Sequence, residues 1–486
     1  MTLSPTVRRP PLVTVVVLNY TNGLRWLLPC LRHVLAQRGL PPGAMDVLVV
    51  RNPPDQQDRD GDNWAEVREE LAKDEFRRVR VIENKANEGF AGGHNVAFRE
   101  VQTEFVAIVN YDARPGPTWL SELLAAFDGE ENHRLGAAAA KLVFLPGFLP
   151  VKLSTPGFVP AERGLTESVT RELGVRVHQV QADGRDVTDG VFWGRLGYDE
   201  ERAGAERFRW TRPAGTMLVP VDTEESGSGP ARPLRLTLRL AAEAIKPVEL
   251  SWRGGSESVK ADERPPNAQP AEVDVVVAPG TGLVDQLNNT GSIVYTDGYG
   301  ADRGFQEIDR CTYERPEDVF AFCGAAVCFR TEALRAVGYF DEDFFIYYED
   351  TDLAWRLWRQ GWRVRYVPTA VVRHEHSATL GEGNPRRQFH VESNRLLMLT
   401  KNARTILAGR QVLGYLLETV WLILKAAATG QRPPLGLRLR VRVVGSYLRL
   451  LPRMLWRRRE LARRAVVPRR RLEQRWLVSR PDPPDH

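Results

Sequence analysis

LVTVVVLNY, residues 12–20, is a short β-branched apolar run that closes on two polar side chains. A helix-like stretch (23–37) follows it, then MDVLVV (45–50), then RVRVIEN (78–84). A glycine-rich turn and a second helix (89–101) lead to EFVAIVN (104–110). Short apolar strands separated by helices predict a mostly parallel, doubly wound α/β sheet. In such sheets ligands bind beyond the carboxyl ends of the strands. Asn19, Asn52, Glu83, Asn84, Asn110 and Asp112 all stand at strand ends, where polar groups can converge.

The rhythm breaks over residues 146–315. Glycine, proline and charge become frequent there, and GSGP (227–230) and ERPPNAQP (263–270) are loop signals. LRLTLRL (234–240), VELSW (248–252) and VDVVV (273–277) alternate like strands, which predicts a small antiparallel β sandwich over about 215–285. The α/β pattern resumes at VFAFCGAAVCFR (319–330), within a segment taken as 316–403. Residues 404–486 read as helical and basic. Val444, Tyr447, Leu448, Leu451 and Leu455 follow helical spacing, with Arg449, Arg453 and Arg457 elsewhere on the wheel. Such a helix suits a membrane interface or a solvated basic face packed on the body. Pro452 is expected to kink or split it. LRLRVRVV (437–444) alternates with period two and leaves its own structure open.

Apolar content of 43% and charged content of 27% over 486 residues fit a soluble globular chain. Charge is unevenly spread. Residues 431–486 hold sixteen arginines against four acids, a net of +12, which leaves −7 on residues 1–430 of a chain at +5. A basic tail on a mildly acidic body points to an anionic surface, and no nucleic-acid module accompanies it. The four cysteines lack zinc-ligand spacing, and Cys323 and Cys328 read as small buried hydrophobes. No window holds 18 uninterrupted apolar residues, so no spanning helix is expected. The best stretch, Val412–Ala428, is broken by Glu418 and Lys425. The expected location is the cytoplasm, peripheral on the inner face of the cell membrane.

Three segments carry chemistry. In VNYDARP (109–115), Asp112 follows a strand and can ligate Mg²⁺ or Mn²⁺, although aspartate is also common in ordinary turns. In NKANEGFAGGHNVAF (84–98), Gly89, Gly92 and Gly93 allow close backbone approach before a helix whose N-terminus favours an anion. The same glycines suit a packing turn. In FDEDFFIYYEDTDLAWRLWRQGWRVRYVP (340–368), Glu349-Asp350 follow an aromatic wall that would keep water from a base. Asp352 and Arg356 fit a simple i, i+4 pair on a helix beginning near Asp352.

Taken in order, strand-NY, GFAGGHN, NYDARP, the 340–368 signature and a later histidine resemble bacterial family 2 glycosyltransferases of the GT-A fold, in the rhamnosyl- and galactofuranosyltransferase-like branch. The resemblance covers about 12–145 and 316–403. It implies inverting transfer of a sugar from a nucleotide-sugar donor, dTDP- or UDP-linked, to a glycan or lipid-linked glycan acceptor. By this resemblance Asp112 is the last residue of the family's Asp-x-Asp metal motif, with Asn110 at its first position. His374, 24 residues beyond Asp350, matches the downstream metal histidine, and His376 is its neighbour. Asp350, in the Glu349-Asp350 pair, is the implied general base. Asn19, Tyr20, Asn52, Gly89, Gly92, Gly93, Asn95, Asn110 and Asp112 would bind the nucleotide sugar. Two departures stand out. Arg51 replaces the aspartate that many relatives carry before Asn52, and Glu392-Ser393-Asn394-Arg395 replaces Glu-Arg-Asn-Arg.

Competing readings are weaker on the residues. A nucleotidyltransferase would carry a basic glycine-rich loop after the first strand, and NYTNGLRW (19–26) is not one. A non-catalytic glycan-binding scaffold would have little use for Glu349, Asp350 and His374 together. A nucleic-acid binder rests on the tail alone.

Overall fold

The computed structural model describes residues 10–163, 169–203, 206–221, 233–241, 246–253, 255–261, 270–375, 384–429 and 435–480. GSGP (227–230), residues 263–269 and His376 lie outside them. The chain forms two compact units, Met1–Leu145 with Leu287–His486, and Pro146–Gln286.

The first unit is built on a ten-stranded mixed sheet. β1 (Val13–Asn19), β2 (Met45–Arg51), β3 (Val79–Glu83) and β4 (Phe105–Val109) run parallel, in the order β4-β1-β2-β3. Every residue of β1 is buried, because the strand is covered on both faces. Val16 and Leu18 enter one hydrophobic core and Val13, Val15 and Val17 the other, as the two-residue period of a strand requires. Beyond β4 the sheet turns mixed. Strand Ala326–Arg330 lies antiparallel between β4 and β6 (Leu135–Phe144), and strand Arg363–His374 runs parallel to β6 on its other side. The short β5 (Ala113–Pro115) pairs with the end of Arg363–His374, setting Ala113 against His374.

The helices of this unit are α1 (Leu27–Leu35), α2 (Trp64–Leu71), α3 (Gly89–Glu100), α4 (Trp119–Ala125), α5 (Thr331–Val337), α6 (Glu349–Arg359), α7 (Pro385–Asn402), α8 (Thr405–Thr429), α9 (Leu435–Arg464) and α10 (Arg469–Trp476). α3 starts on Gly89 at φ +68°, and a Cβ there would lie 2.4 Å from the Phe345 carbonyl oxygen. Only glycine permits this approach. α6 begins at Glu349, three residues before the position expected from Asp352.

α9 runs unbroken across Pro452, so the proline does not split it, and the 437–444 stretch, whose structure the alternation left open, is helix. Its buried residues include Val443, Tyr447 and Met454, whereas Leu448 and Leu455 of the expected apolar stripe are exposed. Arg453 and Arg457 face Asp343 and Asp341 instead of solvent or lipid alone.

The second unit, Pro146–Gln286, is a two-sheet β structure. One sheet includes Arg176–Ala182, Leu234–Ala241 and Ala271–Val277, and the other includes Gly147–Ser154, Ala214–Val221 and Lys246–Trp252. Alternate residues of both, such as Leu236, Val275, Val151 and Val219, share one core, which makes it a sandwich. The strands begin at Gly147, well before residue 215, because the whole insertion contributes to the two sheets. The chain rejoins the main sheet at Leu287–Asn289 on β6, earlier than the boundary at 315 read from loop composition.

A buried charge cluster ties the first unit together. Lys401 of α7 donates to Asp341 Oδ2 at 2.6 Å and to Asp352 Oδ2 at 2.9 Å. Asp352, fully buried, also accepts from Arg356 Nε at 2.8 Å and Asn402 Nδ2 at 2.7 Å. Burial alone would raise the Asp341 carboxyl, but Lys401 and Arg457 outweigh it and hold the group down at about 2. Lys401→Met would leave two buried carboxylates short of a cation. It is expected to destabilise the fold by about 3–5 kcal/mol, read by chemical denaturation, because a broken buried pair leaves an uncompensated charge.

Candidate active site

The carboxyl ends of β4 and of Arg363–His374 meet at one corner of the sheet. Asp112 Oδ1 lies 3.5 Å from His374 Nε2, and Asn110 Nδ2 lies 3.3 Å from the same nitrogen. On the other side of the ring, His374 Nδ1 is 3.1 Å from Asn288 Oδ1. A proton on Nδ1 donated to that oxygen leaves Nε2 with its lone pair directed at Asp112. Asp112 is buried, and its Oδ1 has no hydrogen-bond partner. An orphaned buried carboxylate oxygen beside an imidazole nitrogen that only the Asn110 amide approaches is a donor set suited to a divalent cation. Among the described residues no three His, Cys, Asp or Glu side chains form a preformed cation cage. A cation here would therefore need oxygens from a ligand or water, as magnesium sites commonly do.

The second element is the turn into α6. Tyr347 and Tyr348 both take φ of 69°, a left-handed conformation that costs bulky residues energy and persists where surroundings enforce it. Asn394 Nδ2, on α7, donates to the carbonyls of Ile346 (3.0 Å) and Tyr347 (2.9 Å). Phe90 N, at the start of α3, donates to the Phe345 carbonyl at 2.8 Å. These contacts present Glu349 and Asp350 on the first turn of α6.

Asp350 Oδ2 accepts from Gly324 N at 3.2 Å, and Oδ1 from Thr351 N at 2.6 Å. The neighbouring Ala325 carbonyl accepts from Asn110 N at 2.8 Å, so one dipeptide braces both halves of the site. Burial pushes the Asp350 carboxyl up to about 6, with nearby Asp302 adding to the rise and the two backbone donors opposing it. Glu349 is buried, with one orphaned oxygen, and burial followed by repulsion from Asp350 drives it well above the usual carboxylate range. Asp302 accepts from Asn289 Nδ2 at 2.5 Å and is also raised by burial, while His374 and Arg387 oppose that rise.

A cleft with a cavity volume of about 140 Å³ opens beside Asn110 and Asp112, and His374, Glu349 and Asp350 do not line it. Tyr20, Asn52, Gly89, Asn110 and Asp112 line it, as do Asp58, Asn87, Phe90, Phe345, Arg386 and His390. Arg386 bridges Asp55 (2.7 Å) and Asp58 (3.2 Å), and Tyr20 donates to Asp58 at 2.8 Å.

Four expected donor residues do not line the cleft. Asn95 donates to the Phe340 carbonyl and Glu342, and accepts from Phe340 N, so it straps the acidic segment to α3. A Cβ on Gly93 would meet Leu18 at 2.6 Å, and one on Gly92 would meet Glu88 at 2.9 Å, so both serve helix packing. Asn19 is buried behind the cleft and accepts Asn52 N on its carbonyl. Arg51 makes a two-pronged bond to Asp62 and lies over Trp64. Sequence reasoning missed Asn288, Asn289 and Asp302, which sit in a loop-rich region without a periodic signal. It also missed the Asp55, Asp58 and Arg386 group, which is joined only in space.

The profile "Glycosyl transferase family 2" matches residues 14–138, and "Glycosyl transferase family group 2" matches 294–457. A pre-mycofactocin glycosyltransferase of Mycobacterium tuberculosis is 35% identical over 99 residues, 20% of this chain and 21% of that protein. An N-acetylglucosaminyl-diphospho-decaprenol L-rhamnosyltransferase of the same organism is 43% identical over 68 residues, 14% of this chain and 22% of that protein. The chain thus spans only about a fifth of the length of the curated relatives it matches. Among solved structures, it is similar to GalNAc-T7 with UDP, GalNAc and Mn²⁺, at 10% identity, 81% of this chain, 48% of that chain and a TM-score of 0.42. It is also similar to mannosyltransferase PcManGT from Pyrobaculum calidifontis with GDP-Man and Mn²⁺, at 14% identity, 95% of this chain, 87% of that chain and a TM-score of 0.35. Those overlaps are too loose to transfer individual residues. The two profiles fall on the sheet and helices that build the cleft and leave out the β sandwich, and on that match the chain belongs to the family 2 glycosyltransferases.

Proposed function

We propose that the protein is an inverting, metal-dependent glycosyltransferase that moves a sugar from a nucleotide-sugar donor to the hydroxyl of a glycan or lipid-linked glycan, in cell-envelope polysaccharide assembly. The observation that carries this reading is the meeting of Asp112 Oδ1 with His374 Nε2 on one side of the Gly324–Ala325 segment and Asp350 on the other.

Asp112 and His374 would hold Mg²⁺ or Mn²⁺, and the cation supplies charge neutralisation for the departing diphosphate. Tyr20, Asn52 and Gly89 line the space for the nucleotide, with Asp58 and Arg386 beside them. Asp350, ionised above about pH 6, takes the proton from the acceptor hydroxyl as its oxygen attacks the anomeric carbon. Burial and the neighbouring Asp350 charge raise the Glu349 carboxyl well above its ordinary range. A single displacement inverts the anomeric configuration.

Asp350→Asn is expected to lower transfer by roughly 10²–10⁴-fold with donor affinity nearly unchanged. Radiolabelled sugar transfer beside donor titration checks this, and a mutant with near-normal turnover would remove Asp350 from the base role. The carboxylate is the competent form and the fold raises its pKa, so activity should climb as pH passes about 6 and level off above. A pH–rate profile already flat below that point would contradict the assignment.

Transfer should also require added Mg²⁺ or Mn²⁺. Asp112→Ala and His374→Ala should each weaken metal and donor binding by calorimetry. Full activity in excess chelator would leave Asp112 and His374 as a structural pair.

A further inference from the structure

Helix α8 exposes a hydrophobic face. Leu413, Leu417, Val420, Trp421 and Leu424 follow i, i+4, i+7, i+8, i+11 spacing, and each is more than half exposed. The opposite side of α8 is packed: Tyr415 and Thr419 are buried, and Arg440 of α9 bonds the Tyr415 carbonyl and the Thr419 hydroxyl. The stripe is therefore a surface left over after α8 has found its place in the fold. An apolar stripe of this kind on a soluble chain marks an interaction face.

Charge selects the partner. Arg410 and Lys425 are exposed on α8 itself, and Arg438, Arg442 and Arg449 are exposed on α9. The segment 431–486 carries a net +12. A second copy of the chain would bring arginines toward arginines, whereas an anionic bilayer complements them.

By length and composition Thr405–Ala428 could cross a membrane, with mean hydropathy 1.3 and little of it buried. Near its midpoint, however, Glu418 is paired with Arg440 at 2.8 Å, a charge pair that a spanning helix would place in the hydrocarbon. An apolar face, a packed polar face and a basic rim describe a helix lying in the interface.

We propose that α8 docks the protein on an anionic phospholipid bilayer, its Leu413–Leu424 stripe entering the acyl boundary and the arginines of α8 and α9 meeting the headgroups. This locates membrane affinity in α8 and not in a dispensable tail, since deleting 431–486 would also remove Val443, Tyr447 and Met454 from the core. It is independent of the sugar-transfer reading, because binding is scored without donor or acceptor.

The test floats full-length protein with vesicles of phosphatidylcholine, with and without phosphatidylglycerol. The wild type should float with the anionic vesicles and keep part of its binding at high salt, where screened attraction is lost but apolar insertion remains. Leu417→Glu with Trp421→Glu and Leu424→Glu should cut binding by roughly tenfold or more. Its circular dichroism should match the wild type. Trp421→Phe should still bind while losing part of the tryptophan quenching by brominated lipid seen in the wild type. The proposal is overturned if the wild type stays unbound on anionic vesicles, or if the triple variant floats equally well. It is also overturned if light scattering shows a wild-type dimer that the triple variant converts to monomer, which would assign the stripe to a second copy.

Discussion

The ammonium of Lys401, buried between Asp341 and Asp352, joins three stretches of chain that are far apart in sequence: the acidic segment before the aromatic run, the helix after it, and α7. Arg457 adds α9 to the same cluster. Charges this deep are tolerated only when each is met by an opposite charge and by further hydrogen bonds. Arg356 and Asn402 complete the shell around Asp352. The run from Phe340 to Asp350 is thereby pinned at its beginning by Asp341 and just past its end by Asp352. Between these anchors the chain has little freedom, and Tyr347 and Tyr348 are driven into left-handed conformations. Asn394 then holds the carbonyls that this conformation turns outward.

The electrostatic character of the site follows from this anchoring. α6 begins with Glu349 and Asp350 adjacent and shielded, so burial raises both. Glu349, with an orphaned oxygen and a like-charged neighbour, is pushed far above its ordinary range, whereas the two backbone donors to Asp350 limit its rise to about 6. Two neighbouring carboxyls are thus separated in acidity by their hydrogen bonds, which is how a fold assigns different protonation states to like groups. Asp112 and His374 differ in kind. The Asp112 Oδ1 has no hydrogen-bond partner, and Asn288 sets the histidine ring so that Nε2, approached by the Asn110 amide, faces Asp112.

The C-terminal helices combine two properties that composition blends together. Their buried face, with Val443, Tyr447, Met454 and Leu472, belongs to the core that covers one side of the main sheet. Several of their arginines neutralise buried or half-buried acids of the body, as Arg457 does for Asp341 and Arg453 does for Asp343. The basic excess is therefore partly structural. Exposed at the surface are the apolar face of α8 and cations of α8 and α9.

The opening strands, the interrupting β insertion and the helical C-terminal part were legible in the residues because each rests on local periodicity. Val13 to Val17 alternate between two cores, and Leu234 to Leu240 alternate between core and solvent. Asp112 and His374 were singled out because their neighbours form an extended motif, and the structure brings them within 3.5 Å of each other. Only the tertiary structure decided that Asn95 straps a loop instead of lining the cleft, and that Asn288 and Asp302 flank the site. Only it showed that 437–444 is helix and that Leu448 and Leu455 face outward. Local pattern specifies which residues are apolar and how often they recur. Which side of an element becomes the interior depends on the partner that arrives from elsewhere in the chain, and that information is carried by contacts more than a hundred residues apart, such as Asn95 with Phe340 and Asp112 with His374.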